Sequence, residues 1–331
     1  MAEPTAYQKF AEKMMHKDSK WLPKILQAMI NDDQARLLIS LPGTVPDLAK
    51  KLDQPAPRVE SDLKDMFRKG LTFKKEKGSV VIWRAAAHLA QFHDASILWP
   101  EATPKFYGLW KKYMEEEWPQ LAKMISKALP RPFTRVIPVM KSLEPGRAQV
   151  LGPEDVREMV KGASRVAVTK CTCRLTMQGC DAPVEVCLQI NKGADYTVER
   201  GSGREVTKEE ALEIVDRTEE AGLVHVIMNK ASVGHFICNC CGCCCQSFTL
   251  LISDDLPLCD PSRWRPEVDA DQCSACGDCE ERCYFGAIVI GDDDAAVVDD
   301  NMCMGCGQCA VGCPEQAITM TEARTPDFIP A

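Results

Sequence analysis

Two runs of cysteine near the carboxyl end of this 331-residue chain share the spacing C-x2-C-x2-C-x3-C. The runs are Cys273, Cys276, Cys279 and Cys283, and then Cys303, Cys306, Cys309 and Cys313. Three thiolates that recur every third residue on a tight turn can converge on three corners of one iron–sulfur cube, while the fourth reaches a second cube. Small residues such as Gly277, Gly305 and Gly307 permit such turns.

This double run resembles the bacterial-type ferredoxin with two 4Fe-4S clusters, and the resemblance covers the last fifth or so of the chain. It implies one cluster on Cys273, Cys276, Cys279 and Cys313, and another on Cys303, Cys306, Cys309 and Cys283. Pro314 follows the family pattern, whereas Tyr284 stands where the first run would carry proline. A zinc ribbon needs only four ligands, which would leave the other thiolates unexplained, and disulfides are disfavoured further.

Ten more cysteines form two groups in the middle of the chain. The first group is Cys171, Cys173, Cys180 and Cys187, and the second is Cys238, Cys240, Cys241, Cys243, Cys244 and Cys245. They crowd into polar loops, where thiols without a metal would be prone to oxidation. We therefore expect one or more additional iron–sulfur clusters, with zinc or reactive thiols as the alternatives, because sulfur-rich tetrahedral sites suit both metals. The first group alone could complete a 4Fe-4S cluster, and the second could hold another or share ligands with it.

Arg174 lies beside the first central cysteines and is a candidate cofactor-binding residue. Its guanidinium could donate hydrogen bonds to cluster sulfide and raise the reduction potential, and a surface salt bridge is the alternative role. His225 and His235 could be ligands or could simply pack. The chain resembles multidomain 4Fe-4S proteins of anaerobic microbes in its order of motifs, which is CTCR, then CNCCGCCC, then a dicluster segment. This resemblance does not indicate which substrate the protein would use.

Composition and the amino-terminal residues bear on where the protein works. The chain is 45% hydrophobic and 27% charged, as is ordinary for soluble proteins. Its start has no apolar run after a basic segment, and no window reaches the ~18 apolar residues of a membrane span. Nineteen cysteines without a secretion signal indicate a reducing compartment. We expect a cytoplasmic protein of an anaerobic or oxygen-avoiding host.

The net charge of −8 is unevenly distributed. From Pro266 to the end there are fourteen acidic residues against Arg282 and Arg324, a net charge of −12, which leaves +4 for the rest. An acidic ferredoxin-like face would steer a redox partner that carries a basic patch. The alternative is that Asp292–Asp294 and Asp299–Asp300 are solvated loops. A second copy of this chain is another candidate partner, because Trp110, Met114 and Trp118 form an aromatic stripe that is usually core but sometimes an interface.

The predicted fold class is multidomain α+β, with four segments. They are a winged-helix-like unit at residues 1–95, a helical linker at 96–138, a central α/β Cys-rich metal domain at 139–262 and a ferredoxin-like dicluster domain at 263–331. In the central segment each cysteine group follows a helix and a short β-branched run. We therefore expect two loops at strand ends to face each other across a metal site.

The first segment resembles a winged helix-turn-helix in the order of its elements. Apolar residues recur at helical spacing over residues 21–41, with a break near Asn31. A capped helix is predicted to start at Thr44, a further helix to end near Gly70, and a hairpin to follow. Residues 1–84 carry a net charge of +5, which could suit a phosphate backbone. The would-be reading helix nevertheless begins with Glu60 and Asp62, which repel DNA. We favour protein docking or a scaffold role over DNA binding, although Lys74, Lys75 and Lys77 of the wing could contact phosphate.

The sequence thus predicts an iron–sulfur electron-transfer protein or oxidoreductase subunit. It would pass single low-potential electrons between two ferredoxin-type clusters and a further cluster in the central segment. Whether the chain itself is an enzyme stays open, because that depends on an open coordination site at the central cluster. The alternative is a redox-sensing winged-helix transcriptional regulator. No P-loop or dinucleotide-binding fingerprint competes with these interpretations.

Overall fold

The computed structural model describes residues 3–143 and 150–331, which form two compact units. The first unit comprises the chain up to Ala122 together with Leu175–Met177 and Val198–Gly203. The second comprises Lys123–Arg174, Gln178–Thr197 and Arg204–Ala331. The central and ferredoxin-like segments thus share one unit, and the predicted four-segment division is finer than this. Within the described ranges, no helix has the length and apolar character needed to cross a lipid bilayer.

The first unit consists mainly of helices with one β-hairpin. In chain order its elements are α1 (Ala6–Lys13), α2 (Leu22–Gln27), α3 (Asp32–Ser40), α4 (Val45–Leu52), α5 (Ala56–Arg68), β1 (Thr72–Lys77), β2 (Val80–Ala85), α6 (Leu89–Ile97), α7 (Pro104–Glu116) and the start of α8 (Trp118–Ala128). The predicted helix start at Thr44 is confirmed, since its side chain accepts a hydrogen bond from the third backbone N–H of α4. The predicted break near Asn31 separates α2 from α3, and the Asn31 side chain caps α3 in the same way. Trp110 and Met114 are buried, as the core interpretation of the aromatic stripe expects.

The hairpin of the first unit gains one more backbone connection from the loop before α4. β1 and β2 pair antiparallel, and Gly43 exchanges two backbone hydrogen bonds with Trp83 of β2, at 3.0 and 2.9 Å. Gly70 has a φ of +81°, and a side chain there would collide with the backbone of Ala95. Glycine is therefore required at the point where α5 ends and the hairpin begins.

A seven-stranded sheet forms the centre of the second unit. Its strands are β3 (Thr134–Val136), β4 (Val166–Lys170), β5 (Glu185–Ile190), β6 (Arg204–Glu205), β7 (Val224–Met228), β8 (Phe236–Cys240) and β9 (Cys259–Asp260), in the spatial order β6-β4-β5-β8-β7-β3-β9. The β3–β9 pair is parallel and the other pairs are antiparallel. The sequence predicted β4 and β7, but not β5 or β8. β5 lies between β4 and β8 and brings their cysteine-rich ends together.

Helices cover this sheet and connect its strands. They are α9 (Val156–Gly162), α10 (Thr172–Met177), α11 (Lys192–Arg200), α12 (Lys208–Glu220) and α13 (Phe248–Asp254). The Asp155 side chain caps α9 by accepting from the backbone N–H groups of Arg157 and Glu158. Both α10 and α11 begin in the second unit and end in residues that belong to the first.

The carboxyl-terminal segment is a ferredoxin-type domain with two similar halves. Its elements are β10 (Trp264–Val268), α14 (Asp278–Glu281), β11 (Ile288–Ile290), β12 (Ala296–Val298), α15 (Gln308–Gly312) and β13 (Ile318–Glu322). β10 pairs with β13 and β11 with β12, both antiparallel. Each short helix lies within one cysteine run and follows a glycine with positive φ, Gly277 or Gly307. The mixed α/β architecture with a ferredoxin-type end is as the sequence predicted.

A buried ion pair joins the ferredoxin-type domain to the rest of the second unit. Arg263, directly before β10, donates to both carboxylate oxygens of Glu154 at 2.9 and 3.0 Å, and both side chains are 1% exposed. Its Nη1 also donates to Glu322 on β13 at 2.7 Å. Removing one partner of such a pair leaves an uncompensated buried charge.

Glu154→Gln is therefore expected to lower the free energy of unfolding of the second unit by about 3 kcal/mol, because Arg263 loses its bidentate anion. The matched control is Glu158→Gln, which removes an exposed partner of Lys161 and should leave stability unchanged. Urea unfolding of the anaerobically prepared protein, followed by circular dichroism, measures both. If the two substitutions change the free energy of unfolding equally, the buried ion pair stabilises the unit no more than the exposed one.

Candidate metal centres

Two cavities in the ferredoxin-type domain each contain four cysteines. The first is lined by Cys273, Cys276, Cys279 and Cys313. The second is lined by Cys283, Cys303, Cys306 and Cys309. Each cavity takes the first three cysteines of one run and the last cysteine of the other, which is the grouping that the resemblance to dicluster ferredoxins implies. The ligand role of each thiolate stays a prediction.

Backbone amides and apolar walls surround the cysteines of both cavities. The N–H groups of Ala296, Ala287 and Gly305 donate to the sulfurs of Cys273, Cys283 and Cys303 at 3.3–3.4 Å. Such donors stabilise a thiolate or a metal-bound sulfur. Burial raises the pKa of Cys306 to about 12, so this thiol keeps its proton until a metal displaces it. The residues present therefore fit an iron–sulfur cluster in each cavity.

A third cysteine group, the four-thiol site, joins the two central loops. It consists of Cys180, Cys241, Cys243 and Cys244, whose sulfur atoms all lie within 4.8 Å of one another. Cys180 comes from the loop after α10 and the other three follow β8. Cysteines of both central runs thus meet, although Cys180 lies after a helix and not, as the sequence predicted, at the end of a strand.

The chain ends α10 in a way that brings the two loops of the four-thiol site together. Gln178 adopts a left-handed conformation with φ of 52°, and the N–H of Gly179 then donates to the Cys244 sulfur at 3.2 Å. Cys243 is exposed, whereas Cys244 is buried and its pKa is raised to about 11 by that burial. The four-thiol site therefore reaches the surface at one edge.

A fourth cysteine group, the six-thiol group, lies deeper in the same segment. Its members are Cys171, Cys173, Cys187, Cys238, Cys240 and Cys245. Cys171 has Cys173 and Cys187 as neighbours, Cys173 has Cys245, Cys240 has Cys245 and Cys238, and Cys187 has Cys238. Each of the six thiols therefore has two others of the group nearby. The neighbouring Cys173 and Cys187 lower the pKa of Cys171, while Cys171 and Cys245 raise that of Cys173.

The structure thus distributes the central cysteines differently from their order in the sequence. Of the first run, Cys180 joins the four-thiol site and the other three members join the six-thiol group. The neighbours Cys244 and Cys245 also belong to different groups. Thiols of the two runs therefore lie together in both groups, and which of them are ligands stays a prediction.

Arg174 is buried near cysteines of both central groups and forms no salt bridge with any residue in the described ranges 3–143 and 150–331. It is 3% exposed, and its Nη2 donates to the backbone oxygen of Asn239 at 3.1 Å. Its Nε and Nη1 have no nitrogen or oxygen partner. Burial acts to lower its pKa, but the nearby Cys171, Cys241 and Cys187 outweigh this and raise the pKa overall. A guanidinium in this place can donate to thiolate or sulfide on either side.

The two central histidines have different surroundings. His225 is buried, with Nδ1 2.6 Å from the Asn239 side-chain oxygen and Nε2 3.5 Å from a carboxylate oxygen of Glu219. It therefore packs and forms hydrogen bonds within the sheet, as most such histidines do. His235 lies at the surface, after β7.

Tyr284 is a contact residue to which sequence reasoning gave no role. It directly follows Cys283 of the second cavity, and its side chain lies against Gly242 of the four-thiol site. A Cβ on Gly242 would stand 2.9 Å from the Tyr284 Cβ and 3.1 Å from its ring. Burial raises the pKa of Tyr284, and the nearby thiols of Cys241 and Cys243 raise it further. The available signal was the break in the ferredoxin pattern, where tyrosine replaces proline.

Comparison with known proteins identifies the carboxyl-terminal part of the chain. Residues 272–318 match the family described as 4Fe-4S dicluster domain. This match implies two 4Fe-4S clusters, and the four-thiol site indicates an additional iron–sulfur site. No curated protein and no solved structure matches the chain.

We expect Cys243→Ala to lower the iron content by about four per chain, because the four-thiol site loses one of its ligands for a cube. Cys243 is exposed, so the substitution leaves the core intact. Iron and acid-labile sulfide, quantified after anaerobic purification, provide the measurement. Asp181→Ala, at an exposed neighbour of Cys180, is the control and should leave both values unchanged. Full iron content in Cys243→Ala would remove this residue from the ligand set.

Proposed function

We propose that this protein is an iron–sulfur electron-transfer protein, or the electron-transfer subunit of an oxidoreductase, that connects a ferredoxin-type domain to a central cysteine-rich centre. The contact of Tyr284 with both regions carries this proposal. Bound 4Fe-4S clusters supply one-electron chemistry, and their reduction potentials span about −700 to +450 mV. Ligation by cysteine alone, in acidic surroundings, favours the low end of that range.

Apolar packing between the second ferredoxin cavity and the central cysteines supports this function. Phe285 lies beside Tyr284 in the chain and packs edge-on against Phe248 of α13, with ring centroids 5.0 Å apart. The same apolar cluster includes Cys240 and Cys245 from the central segment, with Cys283 and Cys303 packed against it from the ferredoxin-type domain. Such packing excludes water and holds the two regions at a fixed separation.

The negative charge of the ferredoxin-type end supports this end as the first place where electrons are exchanged with a redox partner. The segment from Pro266 onward carries a net charge of −12, and Asp292, Asp293 and Asp294 are exposed at the turn between β11 and β12. β11 and β12 contribute Ile290 and Ala296 to the first cavity. A basic surface on a partner protein would be steered to this end.

The exposed edge of the four-thiol site supports a second place where electrons enter or leave the protein. Cys243 is exposed there, while the contact with Tyr284 lies at Gly242, the residue before it. Single electrons would enter at the acidic end and leave at this edge, or travel in reverse. A second protein, or a small substrate that reaches an open coordination position, would be the partner at the edge.

A redox-sensing winged-helix regulator is the second candidate function. The order α3, α4, α5, β1 and β2, with Gly43 bridging to Trp83, is typical of a winged helix and supports this candidate. The charges support it less, because Glu60 pairs with Lys64 on α5 and Lys74 of the hairpin is occupied by Glu199 and Glu76. We therefore rank electron transfer first and give the amino-terminal unit a docking role.

Replacing Tyr284 tests the connection between the two regions. Tyr284→Leu should slow electron transfer between the ferredoxin-type and central centres several-fold, because the ring that fills the gap against Gly242 is lost. Tyr284→Phe keeps the ring and is the matched control, with near-normal rates expected. Freeze-quench electron paramagnetic resonance after anaerobic mixing with a reductant follows each signal in time. With iron content equal in all variants, an unchanged rate in Tyr284→Leu would contradict the proposed route.

The regulator hypothesis has a separate test. Anaerobic protein, oxidised and reduced, is offered random duplex DNA at two salt concentrations in a mobility-shift experiment. We expect no selected consensus sequence, since carboxylates occupy the start of the would-be reading helix. A consensus bound with steep salt dependence in one redox state would favour the regulator instead.

A further inference from the structure

The six-thiol group draws its members from four places in the second unit. Cys171 and Cys173 lie at the junction of β4 and α10, and Cys187 lies on β5. Cys238 and Cys240 occupy alternate positions of β8, on the same face of the strand, and Cys245 precedes α13. Three adjacent strands and the start of two helices therefore direct sulfur into one small volume.

Packing alone does not account for such a group. A single buried cysteine packs as a small apolar residue, as Cys259 does, whose sulfur contacts the backbone oxygen of Asp260 at 3.7 Å. Cys259 is not a member of the six-thiol group. Three members of the group lie on the paired strands β5 and β8, which places their sulfur atoms in one part of the sheet. Six thiols that each have two others nearby form a site rich in ligand atoms, and as thiolates they would repel one another unless a cationic centre lay among them.

Arg174 provides a second, independent observation. Its guanidinium is buried beside Cys171 and Cys187 of the six-thiol group and beside Cys241 of the four-thiol site. Two of its nitrogen atoms, Nε and Nη1, have no nitrogen or oxygen partner. A buried cation with free donors requires anions nearby, and a metal-bound sulfur set supplies them. One such set on each side of Arg174 accounts for its position.

The donor atoms limit the cofactor that the six-thiol group would take. The six ligands are all sulfur, and the polar side chain on β8, Asn239, is hydrogen-bonded to His225 and to the backbone of Val186. Sulfur-only sites select soft or sulfide-bridged metals. A single tetrahedral ion such as zinc takes four thiolates, so six are more than it can use. A polynuclear cluster can use them, because its metals are bridged and several positions need capping.

We propose that the six-thiol group is a metal centre of its own, separate from the four-thiol site, and that it takes a polynuclear iron–sulfur cluster. The central segment then contains two metal centres, with Arg174 between them. This goes beyond the proposed function, which needs only the four-thiol site, so either proposal can fail while the other stands.

Selective loss of metal tests this centre. Cys173→Ser alters a partly exposed member of the six-thiol group, and Cys259→Ser alters the buried cysteine outside it. After anaerobic purification, Cys173→Ser should lose about four or more iron ions with matching sulfide. It should also lose one set of Mössbauer and electron paramagnetic resonance signals. The signals that Cys243→Ala removes should remain, and Cys259→Ser should keep all of them.

Three outcomes would overturn the proposal. They are full iron in Cys173→Ser, loss of zinc in place of iron, and loss in Cys173→Ser of the same signals that Cys243→Ala removes. If Cys173→Ser does not fold, the iron content of the unaltered protein still tests the proposal. Two ferredoxin cubes and one cube in the four-thiol site account for about twelve iron ions. Mössbauer-detected iron clearly above twelve per chain supports the second central centre, and twelve or fewer rejects it.

Discussion

Crowding of thiols is the constraint on which the second unit depends. Eighteen of the nineteen cysteines belong to two cavities and two contact groups. In each group sulfur atoms lie close to one another, mostly away from water, where several negative charges cannot coexist. Cationic metal allows these thiols to ionise together. Folding and metal loading are therefore coupled, and part of the unit's apolar packing is formed by cysteine itself.

The protein complements this sulfur with groups that donate hydrogen bonds. Backbone amides donate to cysteine sulfurs in the ferredoxin cavities, and Arg174 lies near cysteines of both central groups. The fixed negative charge is concentrated at the ferredoxin-type end, where the proposed redox partner would bind. The apolar contacts around Phe285 and Tyr284 join that end to the central cysteine-rich segment.

Local signals in the sequence predicted much of this arrangement. A repeated spacing of three residues defines one turn, so the two ferredoxin cysteine runs could be recognised without knowledge of distant contacts. The helix start at Thr44 was equally local, because a cap bonds to the first turn of its own helix.

The features that the sequence did not reveal depend on contacts between distant segments. The partition of the central cysteines is set by the insertion of β5 between β4 and β8, and β5 mixes polar and apolar residues, so its sequence does not stand out as a strand. A surface salt bridge was one role predicted for Arg174, yet the folded chain buries it. The role of Tyr284 was visible only as a departure from a pattern, and the residue it meets, Gly242, is forty-two positions earlier.

The route of the chain between the two units has a consequence for biosynthesis. The first unit includes Leu175–Met177 and Val198–Gly203, which are translated after the second unit has begun at Lys123. The amino-terminal unit is therefore still incomplete while the first cysteine-bearing loops leave the ribosome. Neither unit can be obtained whole by cutting the gene at one point, and a shortened protein that ends before β5 would lack pieces of both.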